Sequence, residues 1–222
     1  SNMYAISNIL IQTAINGFGT ATVAAWTAHG KVDGFFWMIL GAYGISITTF
    51  AGQNYGAGEY ERLKKGVRVS VAMTAGFTIL LSTAFFLLAP PLLAIFSPDP
   101  DVLEVGVEMV RFLAPCYITY ILIELLTGAI RGAGKSVAPM LISVFGVCGL
   151  RLLWIATIFQ LPQFHTIQTI YWSYPISWAI TFGVHVICFL WAMKKVKRQL
   201  LPEGAPAPVE VPPTLEEETV SE

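Results

Sequence analysis

Residues 69–96 read VSVAMTAGFTILLSTAFFLLAPPLLAIF and contain no Asp, Glu, Lys, Arg or His. A helix that crosses the hydrocarbon core of a bilayer needs roughly 20 mostly apolar residues, and this run is long enough to supply them. The whole chain of 222 residues agrees, because 55% of its residues are hydrophobic and only 12% are charged. A soluble domain carries roughly 25% charged residues. The sequence therefore predicts a polytopic membrane protein.

Five further apolar runs divide the chain in the same way. The six predicted spans cover residues 3–28, 34–58, 69–96, 105–130, 137–160 and 169–193. Pro162 separates the last two spans, and Pro115 and Pro175 are expected to kink the fourth and the sixth. We expect an all-α fold of six transmembrane helices over residues 3–198. A disordered cytoplasmic tail, rich in Pro and Glu, is expected over residues 199–222.

The basic residues favour one side of the membrane. Ten of them lie in the segments that follow the second, fourth and sixth spans: Arg62, Lys64, Lys65, Arg68, Arg131, Lys135, Lys194, Lys195, Lys197 and Arg198. Lys31 alone lies in the predicted loops of the other side, with Asp33 close to it. Loops rich in Lys and Arg stay in the cytoplasm. We therefore expect a multi-pass protein of the cell membrane, in contact with lipid, with both termini in the cytoplasm.

Charge and cysteine usage exclude several other classes. The net charge is -1 and the isoelectric point is about 6.3, so no basic surface is available for nucleic acid. The three cysteines lie singly in apolar runs, without the paired spacing of a metal site or a disulfide framework. No nucleophile lies near a candidate base in the sequence. We therefore expect no enzyme activity, no bound metal and no organic cofactor.

Three short segments contain recognisable sequence motifs. Two of them lie at the ends of predicted spans, and the third lies within the first span. The second span ends in GQNYGAG at residues 52–58, and the fourth is followed by GAIRGAGK at residues 128–135. The first span contains AINGFG at residues 14–19 and VAAWTA at residues 23–28. Glycine permits close backbone contact and a left-handed exit from a helix. The segment at residues 52–58 alone is therefore typical of a helix end followed by a short hairpin.

Together, the three segments resemble the multidrug and toxic compound extrusion (MATE) transporters. Residues 52–58 match the family's GQxxGAG-like sequence, and residues 128–135 resemble its RGAGDxxxP loop, with Lys135 where Asp is usual. The residues that carry these motifs are Gly52, Gln53, Gly56, Gly58, Arg131, Gly132 and Gly134. Residues 14–28 resemble the opening of a carboxy-terminal half. Family members usually have twelve helices in two lobes, so the resemblance over residues 3–198 implies one six-helix lobe that works with a second, in the same chain or a separate one.

The resemblance implies a secondary transporter that exports small organic cations or drugs in exchange for H⁺ or Na⁺. Such a protein binds its substrate and its coupling ion without covalent chemistry. Two alternatives stay open: a lipid-linked oligosaccharide flippase of related architecture, and a truncated or structural membrane subunit that does not transport.

Charged side chains inside the spans are candidate site residues, because each costs roughly 3 kcal/mol on insertion scales. Glu124 in the fourth span is the expected contact for a cation or a proton, whereas a carboxylate paired with a neighbouring Arg or hydroxyl would serve packing alone. His185 lies at a similar depth in the sixth span and is either a pathway residue or a satisfied core histidine. Arg151, near mid-membrane, is expected to pair with a carboxylate, to cap carbonyls or to take part in gating.

Polar and aromatic residues complete the predicted pathway. Gln12 and Asn16 are spaced i,i+4, so they share a helix face that lines the path or bonds to a neighbouring helix. Trp37 and Tyr43 are expected to form an adaptable wall for aromatic cations, with Tyr120 as a further pathway residue. Some family members carry an acidic residue for ion coupling in the first helix of this lobe. The first span here has none, so an ion site in this lobe would depend on the carboxylate of the fourth span.

Overall fold

Helices make up the architecture of residues 2–201, the part of the chain that the computed structural model describes. The α-helices are α1 (Asn2–Asn16), α2 (Thr20–Gly56), α3 (Tyr60–Ala94), α4 (Pro100–Leu113), α5 (Tyr117–Gly132), α6 (Val137–Ser143), α7 (Leu150–Ala156) and α8 (Ile167–Leu200). A 3₁₀ turn joins α4 to α5 and a π-helical turn joins α6 to α7; these are Ala114–Cys116 and Val144–Gly149. Two further 3₁₀ turns, Ile158–Gln160 and Pro162–Phe164, precede α8. No strand occurs within residues 2–201, so the prediction of an all-α fold is confirmed. The predicted Pro- and Glu-rich tail lies, from residue 202 onward, outside the described residues.

The outer surface of the bundle is apolar. Met73, Leu80 and Leu87 recur at helical spacing along α3 and are 64%, 69% and 65% exposed. Large apolar side chains that point outward along a whole helix need lipid rather than water around them. Five helical stretches are long and apolar enough to cross a bilayer, and α1 adds a sixth helix of 15 residues. The chain is therefore a multi-pass membrane protein.

The boundary between the first two spans differs from the sequence prediction. A short turn that ends in Gly19, at φ 93°, separates α1 from α2, and α2 then continues for 37 residues. Lys31 and Asp33 lie within α2 rather than in a loop. Lys31 is exposed, whereas the Asp33 carboxylate points into the bundle and has partners there. The limits predicted for the first two spans, residues 3–28 and 34–58, are therefore wrong.

Later spans also depart from regular α-helix at specific residues. The 3₁₀ turn that contains Pro115 interrupts the fourth span, because proline removes a backbone donor. α8 continues as one α-helix through Pro175. Within the π-helical turn, Gly146 lies so close to α8 that a Cβ there would be 2.8 Å from Cγ2 of Thr181. This contact holds α8 against the turn that precedes Arg151.

The two glycine segments of the family motifs lie against each other. A Cβ on Gly132 would lie 2.9 Å from the backbone nitrogen of Gly52, so α2 and α5 are in backbone contact there. Gly58 and Gly134 have φ angles of 77° and 78° and form the turns that follow these helices. Residues with a Cβ rarely adopt such angles. The motifs therefore set both the spacing of two helices and the turns that leave them.

The segments that carry the ten basic residues meet at one end of the bundle, which we call the basic end. Nζ of Lys135 donates a hydrogen bond to the carbonyl of Ala192 at 3.3 Å, and the hydroxyl of Tyr55 donates one to Oε1 of Gln199 at 3.4 Å. Burial lowers the pKa of Lys135, and the nearby positive charge of Lys195 adds to this effect. The basic residues are thus gathered on one side of the lobe.

Candidate functional site

A cavity of about 420 Å³ opens inside the bundle. Its size falls in the range usual for small-molecule sites, roughly 300–1,000 Å³. Its wall is mainly aromatic, and a few polar groups reach it from different helices. The lining residues are Tyr4, Asn8, Gln12, Trp26, His29, Gly30, Asp33, Trp37, Tyr120, Val147, Arg151, Tyr174 and Trp178.

Four aromatic rings from three helices form a continuous wall of this cavity. Trp37 of α2 meets Tyr120 of α5 with ring centroids 4.7 Å apart and planes at 88°. Tyr120 lies 5.4 Å from Trp178 of α8, which in turn lies 5.6 Å from Tyr174. Edge-to-face contacts of this kind are favourable and hold the rings in defined orientations. The wall can receive a flat apolar ring, and its π faces attract positive charge.

One carboxylate reaches the cavity from α2. Asp33 accepts a hydrogen bond from the hydroxyl of Tyr117, and Nε2 of His29 lies 3.6 Å from its Oδ1. His29 and Tyr117 are both buried, so the carboxylate is held among protein groups rather than in water. At 1.5 Å per residue, Asp33 lies about 20 Å along α2 from its start at Thr20. The carboxylate therefore lies in the interior of a helix that is long enough to cross a bilayer, well beyond its first turn.

Sequence reasoning missed Asp33. Two charges close together among glycines are typical of a loop, and the sequence predicts the gap between the first two spans at that place. The helical signal is nevertheless present, because Trp26, His29, Asp33 and Trp37 recur every three or four residues. Residues with this spacing share one face of a helix, and here that face lines the cavity.

Arg151 enters the cavity from the first turn of α7. It is 5% exposed, and Cζ of its guanidinium lies 3.7 Å from the centroid of the Tyr174 ring. Within residues 4–201, its Nε has no hydrogen-bond partner and no carboxylate is close enough for an ion pair. Of the roles expected for Arg151, the ion pair is therefore not seen in this part of the chain.

Glu124 lies outside the cavity, toward the basic end of α5. Its Oε1 is 3.2 Å from Nη2 of Arg131, and the two side chains are 27% and 42% exposed. The Glu124 side chain also fills the space beside Gly44 of α2, where a Cβ would lie 3.1 Å from its Cγ. This geometry matches the packing alternative, a carboxylate paired with a neighbouring Arg. A role of Glu124 in transport stays a prediction.

Four of the predicted pathway residues line the cavity, namely Gln12, Trp37, Tyr120 and Arg151. Nε2 of Gln12 donates a hydrogen bond to Oδ1 of Asn16 at 3.0 Å, so these two residues do share a helix face. Asn16 itself is exposed at the end of α1 and is not among the residues that line the cavity.

Two other predicted pathway residues pack between helices, away from the cavity. His185 is fully buried, with Nδ1 3.0 Å from the carbonyl oxygen of Thr181 and Nε2 3.4 Å from the hydroxyl of Ser143. Both ring nitrogens thus have partners, as expected for a core histidine that ties α8 to α6. Tyr43 packs against Phe77 of α3, with ring centroids 6.0 Å apart.

Known proteins share the sequence pattern of this chain. A family model described as MatE matches residues 2–157. The probable multidrug resistance protein YoeA of Bacillus subtilis is 21% identical over 202 residues, which cover 88% of this chain and 42% of that protein. The probable multidrug resistance protein NorM of Thermotoga maritima is 25% identical over 155 residues, which cover 67% of this chain and 33% of that protein.

Solved structures share the fold. The Vibrio cholerae MATE transporter VcmN in its bent form matches with a TM-score of 0.77 and 19% identity, over 87% of this chain and 43% of that one. The chain thus spans less than half the length of the relatives it matches. The match by the family model covers most of the sequence, and the structural match covers most of the bundle. The chain therefore belongs to the MatE family, and its described residues form one lobe of the MATE fold.

Proposed function

We propose that this lobe belongs to a secondary transporter that exports organic cations in exchange for H⁺ or Na⁺. The observation that carries the proposal is the Asp33 carboxylate, which lies inside an aromatic-walled cavity deep in the bundle. Relatives named as multidrug resistance proteins support the transport class.

The cavity offers an organic cation two kinds of attraction. Asp33 supplies negative charge in a medium of low dielectric, where a Coulomb interaction is several times stronger than in water. Trp37, Tyr120 and Trp178 supply π faces, and such a contact with a desolvated cation is worth on the order of 1–2 kcal/mol. These groups can bind an organic cation reversibly without breaking a covalent bond, which suits a transporter rather than an enzyme.

The substrate can be exchanged for the coupling ion if both bind the same carboxylate, because only one of them can then be bound at a time. A proton on Asp33 removes its charge, so an organic cation then loses its main partner and leaves. The described surroundings of the carboxylate supply the hydroxyl of Tyr117 and the imidazole of His29. A hard metal cation such as Na⁺, in contrast to a proton, binds several oxygen ligands at once. We therefore favour H⁺ over Na⁺ as the coupling ion.

The transport cycle requires a second lobe, in the same chain or a separate one. We propose that the present lobe is the carboxy-terminal half, because residues 14–28 resemble the opening of that half. Rocking of the two lobes against each other would then expose the cavity to one side of the membrane at a time. The basic end lies in the cytoplasm of the cell, together with both termini.

A lipid-linked oligosaccharide flippase fits the cavity less well. Such a substrate carries a chain of sugars and a phosphate linkage, so its site needs more room and more positive charge. The cavity here is about 420 Å³, and its wall carries one Arg and one Asp, whose formal charges cancel.

Proteoliposomes that contain the complete transporter test the proposal. Ethidium, a fluorescent organic cation, is expected to move when a pH gradient is imposed, and a Na⁺ gradient without a pH gradient is expected to have little effect. Asp33→Asn is expected to abolish the gradient-driven movement while the protein still inserts into the membrane, because the amide cannot exchange a proton for a cation.

Gly41→Ala is the matched control for this experiment. Gly41 is an exposed position of α2, and a methyl group added there would have no described atom within 4 Å, so its substitution leaves the cavity unchanged. Transport by Asp33→Asn at the wild-type rate would contradict the proposal.

A further inference from the structure

Two lysines reach the same indole ring at the basic end. Nζ of Lys135, in the turn between α5 and α6, lies 5.9 Å from the ring centroid of Trp191 on α8. Nζ of Lys195, one turn farther along α8, lies 5.6 Å from the same centroid. The hydrogen bond from Lys135 to the carbonyl of Ala192 fixes the turn against α8. Two positive charges from separate parts of the chain are thus gathered around one aromatic side chain.

A recess of about 420 Å³ opens beside this ring on the surface of α8. Its lining residues are Trp191, Lys194, Lys195, Arg198 and Gln199. Within residues 4–201, no carboxylate lies at ion-pair distance from Lys135 or from a basic residue of this lining. Burial and the nearby charge of Lys195 lower the pKa of Lys135, as expected where positive charges lie close together without an anion. A bound anion would compensate these charges.

The same face of α8 is apolar on the other side of Trp191. Ile187 lies one turn before Trp191 and Lys195 one turn after it, so the three side chains share a face of the helix. Ile187 is 70% exposed and Trp191 is 57% exposed. A surface that changes from apolar to basic at an exposed Trp is typical of the boundary between acyl chains and lipid headgroups. A free anion would contact only the basic part of this face, whereas a lipid would contact both parts.

We propose that the recess beside Trp191 binds an anionic phospholipid, with its phosphate between Lys135 and Lys195 and its acyl chains along the apolar part of the α8 face. Basic pockets at the ends of membrane helices attract the headgroups of anionic lipids. A zwitterionic lipid carries a positive group beside its phosphate, so it gains less from the same charges. The recess and the aromatic cavity share no lining residue, so the inference does not depend on the proposed transport function.

Native mass spectrometry of the complete transporter, released from detergent, measures the dissociation constant of the first bound lipid. Phosphatidylglycerol is the anionic probe, and phosphatidylethanolamine with the same acyl chains is the zwitterionic comparison. The wild-type protein is expected to bind phosphatidylglycerol about tenfold more tightly. The double variant Lys135→Gln with Lys195→Gln is expected to lose this preference. Lys135→Arg with Lys195→Arg keeps both charges and is expected to retain it.

Lys64→Gln with Lys65→Gln is the matched control for charge. It also removes two positive charges from the basic end, but neither residue lines the recess. The control variant should keep the preference for phosphatidylglycerol. Equal loss of the preference in both glutamine variants would overturn the inference, because the basic end as a whole would then attract anionic lipid. A preference that survives Lys135→Gln with Lys195→Gln would overturn it as well.

The same measurement tests two other occupants of the recess. Residues 203–222 follow α8 closely in sequence and contain six Glu. If the wild-type protein prefers phosphatidylglycerol only after these residues are removed, the acidic segment occupies the recess and the inference is overturned. A dimer of the chain that excludes phosphatidylglycerol would overturn it in the same way.

Discussion

The hydroxyl of Tyr117 donates a hydrogen bond to the carboxylate of Asp33, which joins the first turn of α5 to α2 across 84 positions of sequence. The Tyr117 ring stacks on Phe36, with centroids 4.2 Å apart and planes at 18°. The 3₁₀ turn at Ala114–Cys116 comes directly before Tyr117 and sets where α5 begins. A proline-containing break in one span therefore positions a donor for the buried carboxylate of another.

Tyr117→Phe is expected to change the pH dependence of transport. The variant keeps the ring that stacks on Phe36 but removes the hydroxyl that stabilises ionised Asp33. The ionised carboxylate loses a stabilising donor in this variant, so the pH midpoint of the transport profile should move upward. Ethidium transport in proteoliposomes over a pH series measures the midpoint.

Tyr43→Phe is the control for that measurement. Tyr43 packs against Phe77 away from the cavity, so loss of its hydroxyl should leave the profile at the wild-type position. Coincident profiles for Tyr117→Phe and the wild-type protein would show that Asp33 does not carry the coupling proton.

Gly132→Ala is expected to destabilise the lobe. The new methyl group would lie 2.9 Å from the backbone nitrogen of Gly52 and 2.6 Å from Cβ of Ala51, so α2 and α5 would have to move apart. Overpacking of this kind costs roughly 1–3 kcal/mol. Thermal unfolding in detergent, followed by tryptophan fluorescence, should show a lower midpoint. Gly41→Ala should not lower it, because its methyl group meets open space and Ala favours helix.

Glu124→Gln is expected to retain most gradient-driven ethidium transport. Glu124 is not among the residues that line the cavity, and its carboxylate pairs with Arg131 of the same helix, so glutamine removes one charge-assisted contact and leaves the cavity wall unchanged. The variant should therefore unfold at a slightly lower temperature and transport at close to the wild-type rate, in contrast to Asp33→Asn. Complete loss of transport with intact membrane insertion would instead support the role that the sequence predicts for Glu124.

Cysteine labelling is expected to place the basic end in the cytoplasm. In a variant without the three native cysteines, Arg62→Cys and Lys195→Cys should react with an impermeant maleimide only after the membrane is opened. Ser97→Cys, in the turn after α3 at the opposite end, should react in intact cells. If Arg62→Cys and Lys195→Cys reacted from different sides, the basic segments could not share one face.

Short stretches of neighbouring residues are enough to predict the transmembrane helices of this protein and the side on which its basic residues lie. Apolar runs, basic loops and glycine segments are properties of adjacent positions, so they indicate the helical bundle, its basic end and its family before any packing is known. The interruption at Pro115 and the hydrogen bond between Gln12 and Asn16 likewise follow from short spacings along one helix.

The contents of the cavity, in contrast, depend on how distant helices pack. The number and spacing of charged residues cannot distinguish an aspartate in a loop from one that is buried beside a hydrogen-bond donor. The donor to Asp33 is Tyr117, which lies on another helix. Glu124 finds Arg131 two turns along its own helix, whereas Arg151 meets an aromatic ring of α8 instead of a carboxylate. Whether a buried charge is paired is decided by side chains from separate parts of the chain, and the packing of apolar helix faces sets where those side chains meet.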